Sequence, residues 1–409
     1  MSPVKRIGKR EILFIAVIFA ALAVSVPIQY LVRREVVVGM SPQHAHSHAH
    51  GEEEKNHAHG EEGEEDGHTH EGEVGHPASD IPLGSNLIAN FSFEVGTRSS
   101  IFGWQKKGEE GGALVYRDEE RSYKGFASAA VSSQESVFVD AGWVMRLDVL
   151  PLDHDIVFNG YVRTEGLRGE AYLGIVARGS AQEEGEAAAL IIAYTDNVEG
   201  DSEWTPVELR CHVPPEAREI WLECGMYGAG RAWFDEVSLV MEERENFPSP
   251  GVNLLRNPSF EEGVRHWHCY QSGLSGPPLY VTVPAGPGGG NALRISIAPG
   301  SDPGALTAFY QSVCGLRGEK GTLRFRGMLR GESITGKAWV DVFALTASGP
   351  RGSIAAERAT GSGGWEPFEL TLPIDGETAG LFVRVNLEGE GTAYFDGLEL
   401  VFTAAGDGA

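Results

Sequence analysis

Asn86-Leu87-Ile88-Ala89-Asn90-Phe91-Ser92-Phe93-Glu94 returns 167 residues later as Asn253-Leu254-Leu255-Arg256-Asn257-Pro258-Ser259-Phe260-Glu261. The same offset pairs Phe158 with Phe325, Gly160 with Gly327, Arg163 with Arg330, Gly169 with Gly336 and Tyr172 with Trp339. Further along it becomes 161, pairing Trp204 with Trp365, Pro206 with Pro367, Leu209 with Leu370 and Phe234-Asp235 with Phe395-Asp396. Six residues are therefore missing from the second copy between Gly336 and Trp365, opposite the Glu/Gly stretch Gln182 to Gly185, where a surface loop tolerates length changes. Each copy is about 155 residues long, too long for a solenoid unit and the right size for a domain.

Inside each copy the apolar residues alternate with period two. Val207, Leu209, Cys211 and Val213 interleave with Glu208, Arg210 and His212, and Ile220, Leu222, Cys224 and Met226 follow the same rule. Their counterparts are Phe368, Leu370, Leu372 and Ile374, then Leu381, Val383, Val385 and Leu387. Such alternation marks antiparallel strands with one face in a core. No long amphipathic helix interrupts residues 85–405, and 54 glycines supply turns. The expected fold class is all-β: two tandem antiparallel β-sandwiches at 85–242 and 252–403, joined by a short polar link containing Pro248 and Pro250.

Upstream of the repeats the chain changes character twice. Ile12 to Val32 is a run of 21 residues without a charge, which as a helix at 1.5 Å per residue spans about 30 Å, the thickness of a bilayer core. Lys5, Arg6, Lys9 and Arg10 precede it, so residues 1–11 form a basic stub expected in the cytoplasm, with the rest exported. Ala21-Leu22-Ala23 also fits a signal-peptidase site, but the apolar run continues past it, which favours an uncleaved anchor over secretion. Residues 33–84 form a low-complexity tether, and 44–76 hold nine His and ten acids with almost nothing to bury. His44, His46, His48 and His50 alternate with small residues. Two further pairs follow at the same spacing, His57 with His59 and His68 with His70. Imidazoles in this arrangement can take Zn²⁺ or another transition metal; a solvated spacer is the alternative.

The opening N-L-x-x-N-x-S-F-E at Asn86 and Asn253, the Trp at 204 and 365 and the closing F-D-x-[VL]-x-L at Phe234 and Phe395 resemble carbohydrate-binding modules of the family 4/9/22 type. That resemblance covers 85–242 and 252–403 and implies a galactose-binding-like jelly roll. It also implies a structural Ca²⁺ where the first and last strands meet, held by Glu94 with Asp235 and by Glu261 with Asp396 as hard oxygen ligands. The glycan face is sought among aromatic residues that stack on sugar rings, with polar neighbours for the hydroxyls. Trp221 falls out of phase with the core positions of its strand, with Glu223 beside it on the same side. Tyr172 and its partner Trp339 come next, then Trp143 with Tyr310, and Tyr270. Position 382, equivalent to Trp221, is Phe382, so the two copies are not expected to bind the same glycan equally.

Cys211 and Cys224 lie 13 residues apart on consecutive apolar strands, where a disulfide and two free buried thiols are both open readings. No G-x-S-x-G, phosphate-cradling glycine loop or H-E-x-x-H occurs, so no catalytic domain is expected. Formal charge is −25, and residues 85–242 (13 basic, 27 acidic) are far more acidic than 250–405 (12 basic, 15 acidic). Nucleic acid is therefore a poor partner, and neutral glycans or cations are better ones. The expected function is glycan binding at the cell surface, with a structural or protein-docking role, or display of a metal-binding tether, as alternatives.

Overall fold

The computed structural model describes residues 76–77 and 81–405, apart from 135–136, 181–186, 244–248, 275–277, 317, 362 and the side chains of 76–77 and 352–360. The expected anchor at 12–32 lies outside the described residues. So does the whole expected transition-metal set of the tether: His44, His46, His48 and His50, the pair His57 and His59, and the pair His68 and His70. Among the described residues no helix is long and apolar enough to cross a membrane.

The described chain is built of strands. The first half contains β1 (His76–Pro77), β2 (Gly96–Thr97), β3 (Ser100–Ile101), β4 (Gln105–Lys107), β5 (Leu114–Asp118), β6 (Ser128–Ser132), β7 (Val139–Arg146), β8 (Val149–Leu150), β9 (Asp155–Arg178), β10 (Ala189–Tyr194), β11 (Val198–His212) and β12 (Glu219–Glu242). The second contains β13 (His268–Ser272), β14 (Leu279–Val283), β15 (Ala292–Ile297), β16 (Leu306–Cys314), β17 (Lys320–Glu332), β18 (Ile334–Thr346), β19 (Gly349–Gly361), β20 (Glu366–Asp375), β21 (Thr378–Glu388) and β22 (Gly391–Ala404). In the second half, β13-β16-β21-β18-β19 form a front sheet and β14-β15-β22-β17-β20 a back sheet, every pairing antiparallel. The first half repeats both orders. Its front sheet runs β4-β7-β12-β9-β10 and its back sheet β5-β6-β12-β9-β11.

In the first half β9 and β12 serve both sheets, crossing from one to the other at Gly166–Gly169 and Gly228–Gly230. Gly230 has φ 137°, and a Cβ there would lie 2.6 Å from the Gly166 carbonyl oxygen. Only glycine permits that conformation and that approach together. In the second half the chain breaks at the matching places, Ser333 (φ 52°) and Gly389–Gly391, so one long strand becomes two.

The repeated nonapeptide closes each sandwich. Asn86 Oδ1 accepts the amides of Ile88 and Leu239, both at 3.0 Å, tying the chain start to the last strand. Asn253 does the same for Leu255 (3.1 Å) and Leu400 (2.9 Å). Asn90 and Asn257 hold the following turn through both ends of their amides, each at positive φ, where Asn is tolerated. Phe93 and Phe260 fill the cores with no exposed surface.

The two halves form one compact body spanning Val74–Ala409. The edge strand β10 lies over β16, β18 and β21, on the outer face of the second front sheet. Ala379 belongs to the apolar core of the first half, and Cys314 packs against it. A Cβ on Gly380 would sit 3.4 Å from the Leu190 carbonyl oxygen of β10, so the small residue admits the neighbouring strand.

Candidate functional site

The aromatic positions expected to meet a glycan fall mostly on the outer faces of the front sheets, and those faces are closed. In the first half Lys107 (β4) extends its ammonium to Asp140 (β7) at 2.6 Å and to Glu223 (β12) at 2.8 Å. Tyr172 (β9) donates its hydroxyl to the same Glu223 oxygen at 3.3 Å. Lys107, Glu223 and Tyr172 are all buried. Gly225 makes room for them, since a Cβ there would lie 2.6 Å from the Tyr172 ring. In the second half Arg384 (β21) grips Asp341 (β18) through Nε and one terminal nitrogen, both at 2.8 Å, and Trp339 Nε1 donates to Asp341 at 2.7 Å.

Packing of one half on the other accounts for much of this burial. Tyr194 of β10 meets His268 (ring centroids 5.0 Å apart) and Tyr310 (5.9 Å), and Tyr172 reaches His268 at 5.8 Å. Tyr227 accepts the Gln271 amide at 3.0 Å. Tyr172, Tyr310, Tyr270 and Glu223 therefore stand on or beside an internal interface, and Trp339 is buried against Asp341 and Lys337 of its own half, with no ring face open to a ligand. Trp221 is on the outer face as its phase predicts, half-buried, with an indole N–H that finds no acceptor.

Trp143 must be reassigned. It is a core residue without exposed surface, and it pairs with Cys224. The counterpart of Cys224 is Val385, which pairs with Phe309, while Tyr310 pairs with Arg384. Trp143 thus corresponds to Phe309, and strand alternation places Tyr310 on the opposite face.

The expected calcium carboxylates converge as pairs. Asp235, wholly buried, accepts the amides of Tyr123 (2.7 Å) and Lys124 (2.9 Å). Glu94 accepts the Phe126 amide at 2.8 Å from the same loop, and a Cβ on Gly125 would lie 1.9 Å from its Oε1. In the second half Glu261 accepts the Asn291 amide at 2.9 Å, and Asp396 lies 2.5 Å from where a Cβ on Gly286 would be. Burial pushes the Asp235 carboxyl up to about 6 against three backbone hydrogen bonds, as a buried carboxylate without a facing cation should behave. The donor set, two carboxylates around a glycine-bearing loop rich in backbone carbonyls, suits Ca²⁺ chemically. Among the described residues no group of three or more His, Cys, Asp or Glu could hold a metal.

What the sequence reading missed is a cleft of about 300 Å³ between the two halves. Asp155, Arg210 and His212 line it from the first half, and Arg256, His266 and Gln311 from the second, with Tyr194 and Asp196 at the junction. Buried His212 hydrogen-bonds Asp155 at 2.9 Å, and His266 Nδ1 meets Asp196. Asp196 also pairs with Arg256 and Arg265, each at 3.3 Å. Burial would raise the Asp196 carboxyl, but the hydrogen bond and charge of His266 and the two guanidinium groups outweigh it and hold the carboxyl below its ordinary value. His266 and His268 stand either side of Trp267 in the sequence, yet they serve different partners, Asp196 and Glu170. Asp196 carries no local sequence signal, because its partners are about 60 to 70 residues away.

No known protein-family profile matches the chain. A curated relative, the tRNA nuclease WapA of Bacillus subtilis (strain 168), is 24% identical over 203 residues, 47% of this chain but only 8% of that protein. Among solved structures, the chain is similar to the tandem CBM22-1–CBM22-2 domain of Paenibacillus barcinonensis Xyn10C, at 16% identity and TM-score 0.31, covering 80% of this chain and all of that one. A family 16 carbohydrate-binding module is 15% identical (TM-score 0.30, 38% of this chain and 99% of that one). TmCBM61, solved with β-1,4-galactotriose, is 16% identical (TM-score 0.27, 39% and 99%). The fold these observations describe is an all-β tandem of antiparallel sandwiches.

Proposed function

We propose that this chain is a non-catalytic carbohydrate-binding protein whose tandem sandwiches are held at the outer surface of a membrane by residues 12–32. The supporting observation is the cleft between the halves. It offers a volume suited to a short saccharide, Tyr194 among its lining residues, and charged or amide side chains of the kind that bond hydroxyls. On this reading the sheet faces that bind ligand in many jelly rolls are given over here to packing one sandwich on the other. A neutral glycan suits the first half, whose acidic excess disfavours anionic polymers. Ca²⁺ at Glu94 with Asp235 and at Glu261 with Asp396 would stiffen the strand ends without touching the ligand. Zn²⁺ or a similar ion would bind the histidine tether between His44 and His70.

The test is a glycan array with the detergent-solubilised full chain, followed by affinity measurements on a double variant, Arg210→Ala with Arg256→Ala. Both side chains are more than half exposed, so the fold tolerates their loss. A hydrogen bond to a charged group contributes about 1.5–3 kcal/mol, so the double variant should bind at least about tenfold more weakly. Failure to bind any glycan would remove the reading, and undiminished binding by the double variant would remove the cleft. Loss with Trp221→Ala alone would move the site to the first front sheet.

A further inference from the structure

We propose that Cys211 and Cys314 form a disulfide that staples the two sandwiches together beside the cleft. Cys211 sits near the end of β11 in the first half and Cys314 ends β16 in the second. Both line the cleft, and Cys314 packs against the apolar cluster that contains Cys211. Strands β11 and β16 abut, and Cys314 stands first among the groups that push the Cys211 thiol up.

The pairing suggested by sequence spacing does not occur. Cys211 is in the back sheet, opposite Ile156 of β9, whereas Cys224 is in the front sheet, opposite Leu173 of the same long strand. The 13 residues between them carry the chain from one layer of the sandwich to the other. Cys224 and Cys269 are buried, and the groups that raise their thiols are burial and nearby carboxylates, with no sulfur among them.

The chemistry needs an oxidant, for which a small-molecule disulfide such as oxidised glutathione suffices. Half-buried Cys314 is the accessible partner. Its thiolate attacks one sulfur of the oxidant, the oxidant's S–S bond breaks, and one glutathione leaves as a thiol. The Cys211 thiolate then attacks Cys314 Sγ, the protein–glutathione bond breaks and the second glutathione thiol departs. Two protein thiols and one external disulfide become one protein disulfide and two external thiols. The neighbouring Cys314 and burial push the Cys211 thiol up, so the closing step should quicken as pH rises above neutrality.

The full chain, purified under reductant, is incubated with oxidised glutathione at pH 8, then alkylated and mapped by mass spectrometry without reduction. The expected result is a Cys211–Cys314 cross-linked peptide, with free thiols falling from four to two and label on Cys224 and Cys269. The Cys314→Ser variant should give no cross-link, while Cys224→Ser should still give it. The unfolding midpoint of the oxidised chain should be higher than that of the reduced one and return to it on adding reductant. A Cys211–Cys224 or Cys211–Cys269 linkage, four persistent thiols, or a glutathione adduct that stays on Cys314 without closing would each overturn the proposal.

Discussion

Replacing Arg384 by methionine isolates the contribution of a buried ion pair in the second front sheet. Its guanidinium holds Asp341 through two hydrogen bonds of 2.8 Å, and the residues are 4% and 2% exposed. Removing the cation leaves a carboxylate buried in the second front sheet with only the Trp339 indole and a long contact to Asn386 at 3.4 Å. Breaking a buried pair in this way costs about 3–5 kcal/mol. The pair itself gains much less, because both ions are stripped of water and one terminal guanidinium nitrogen has no partner. The double variant, Asp341→Leu with Arg384→Met, should therefore recover to within about 1 kcal/mol of the parent, since apolar replacements of buried pairs are often neutral or stabilising. Denaturant unfolding followed by tryptophan fluorescence measures both. A parental midpoint for Arg384→Met would mean that water reaches Asp341 on this face, and the account of the closed sheet would fall. A double variant as unstable as the single one would refute the desolvation reasoning.

Three other outcomes follow from contacts already described. Asn86→Ala loses two amide hydrogen bonds at the strand closure, which should cost about 1–3 kcal/mol, with a similar loss for Asn253→Ala in thermal unfolding. Adding Ca²⁺ to chelator-treated protein should raise the unfolding midpoint, and Glu94→Gln should diminish the rise; no rise in the parent would exclude calcium at these carboxylates. Glu199, hydrogen-bonded by Tyr280 of the other half at 3.3 Å, is pushed up to about 7 by desolvation and the charge of Glu170. A carboxyl raised on folding stabilises fully below its unfolded value and loses that contribution as pH climbs through the folded one. Stability should thus decline between about pH 5 and 8 by an amount that Glu199→Gln removes, small because much of the residue's surface remains open to water.

The parts of the fold that were legible in the sequence are those that local rules determine. Asn86 and Asn253 announce themselves because the same staple is needed twice, and the period-two runs around Leu209 and Leu222 fix which side chains enter the core. The phase of Trp221 likewise gives its face. Exposure was not legible, because what lies over Tyr310 is a strand of another sandwich, and no alternation pattern records a docking partner. Trp143 shows the limit from another side. A repeat alignment displaced by one residue keeps all its chemistry and reverses the face. Asp196 and His266 meet only after two turns from separate copies are brought together, and Cys211 finds Cys314 for the same reason.

The docking of β10 also gives the tandem a direction. The contact joins the edge of one sandwich to the broad face of the other, so two related units meet through unlike surfaces. At equivalent places the first unit carries Glu223 where the second carries Arg384, and Glu219 where the second carries Gly380. A chain with the units in reverse order would set a buried acid where the second sheet pairs a cation with Asp341, and a bulky side chain where Leu190 needs room. Though duplicated in sequence, the units have become a lock and its key, and neither can stand in for the other.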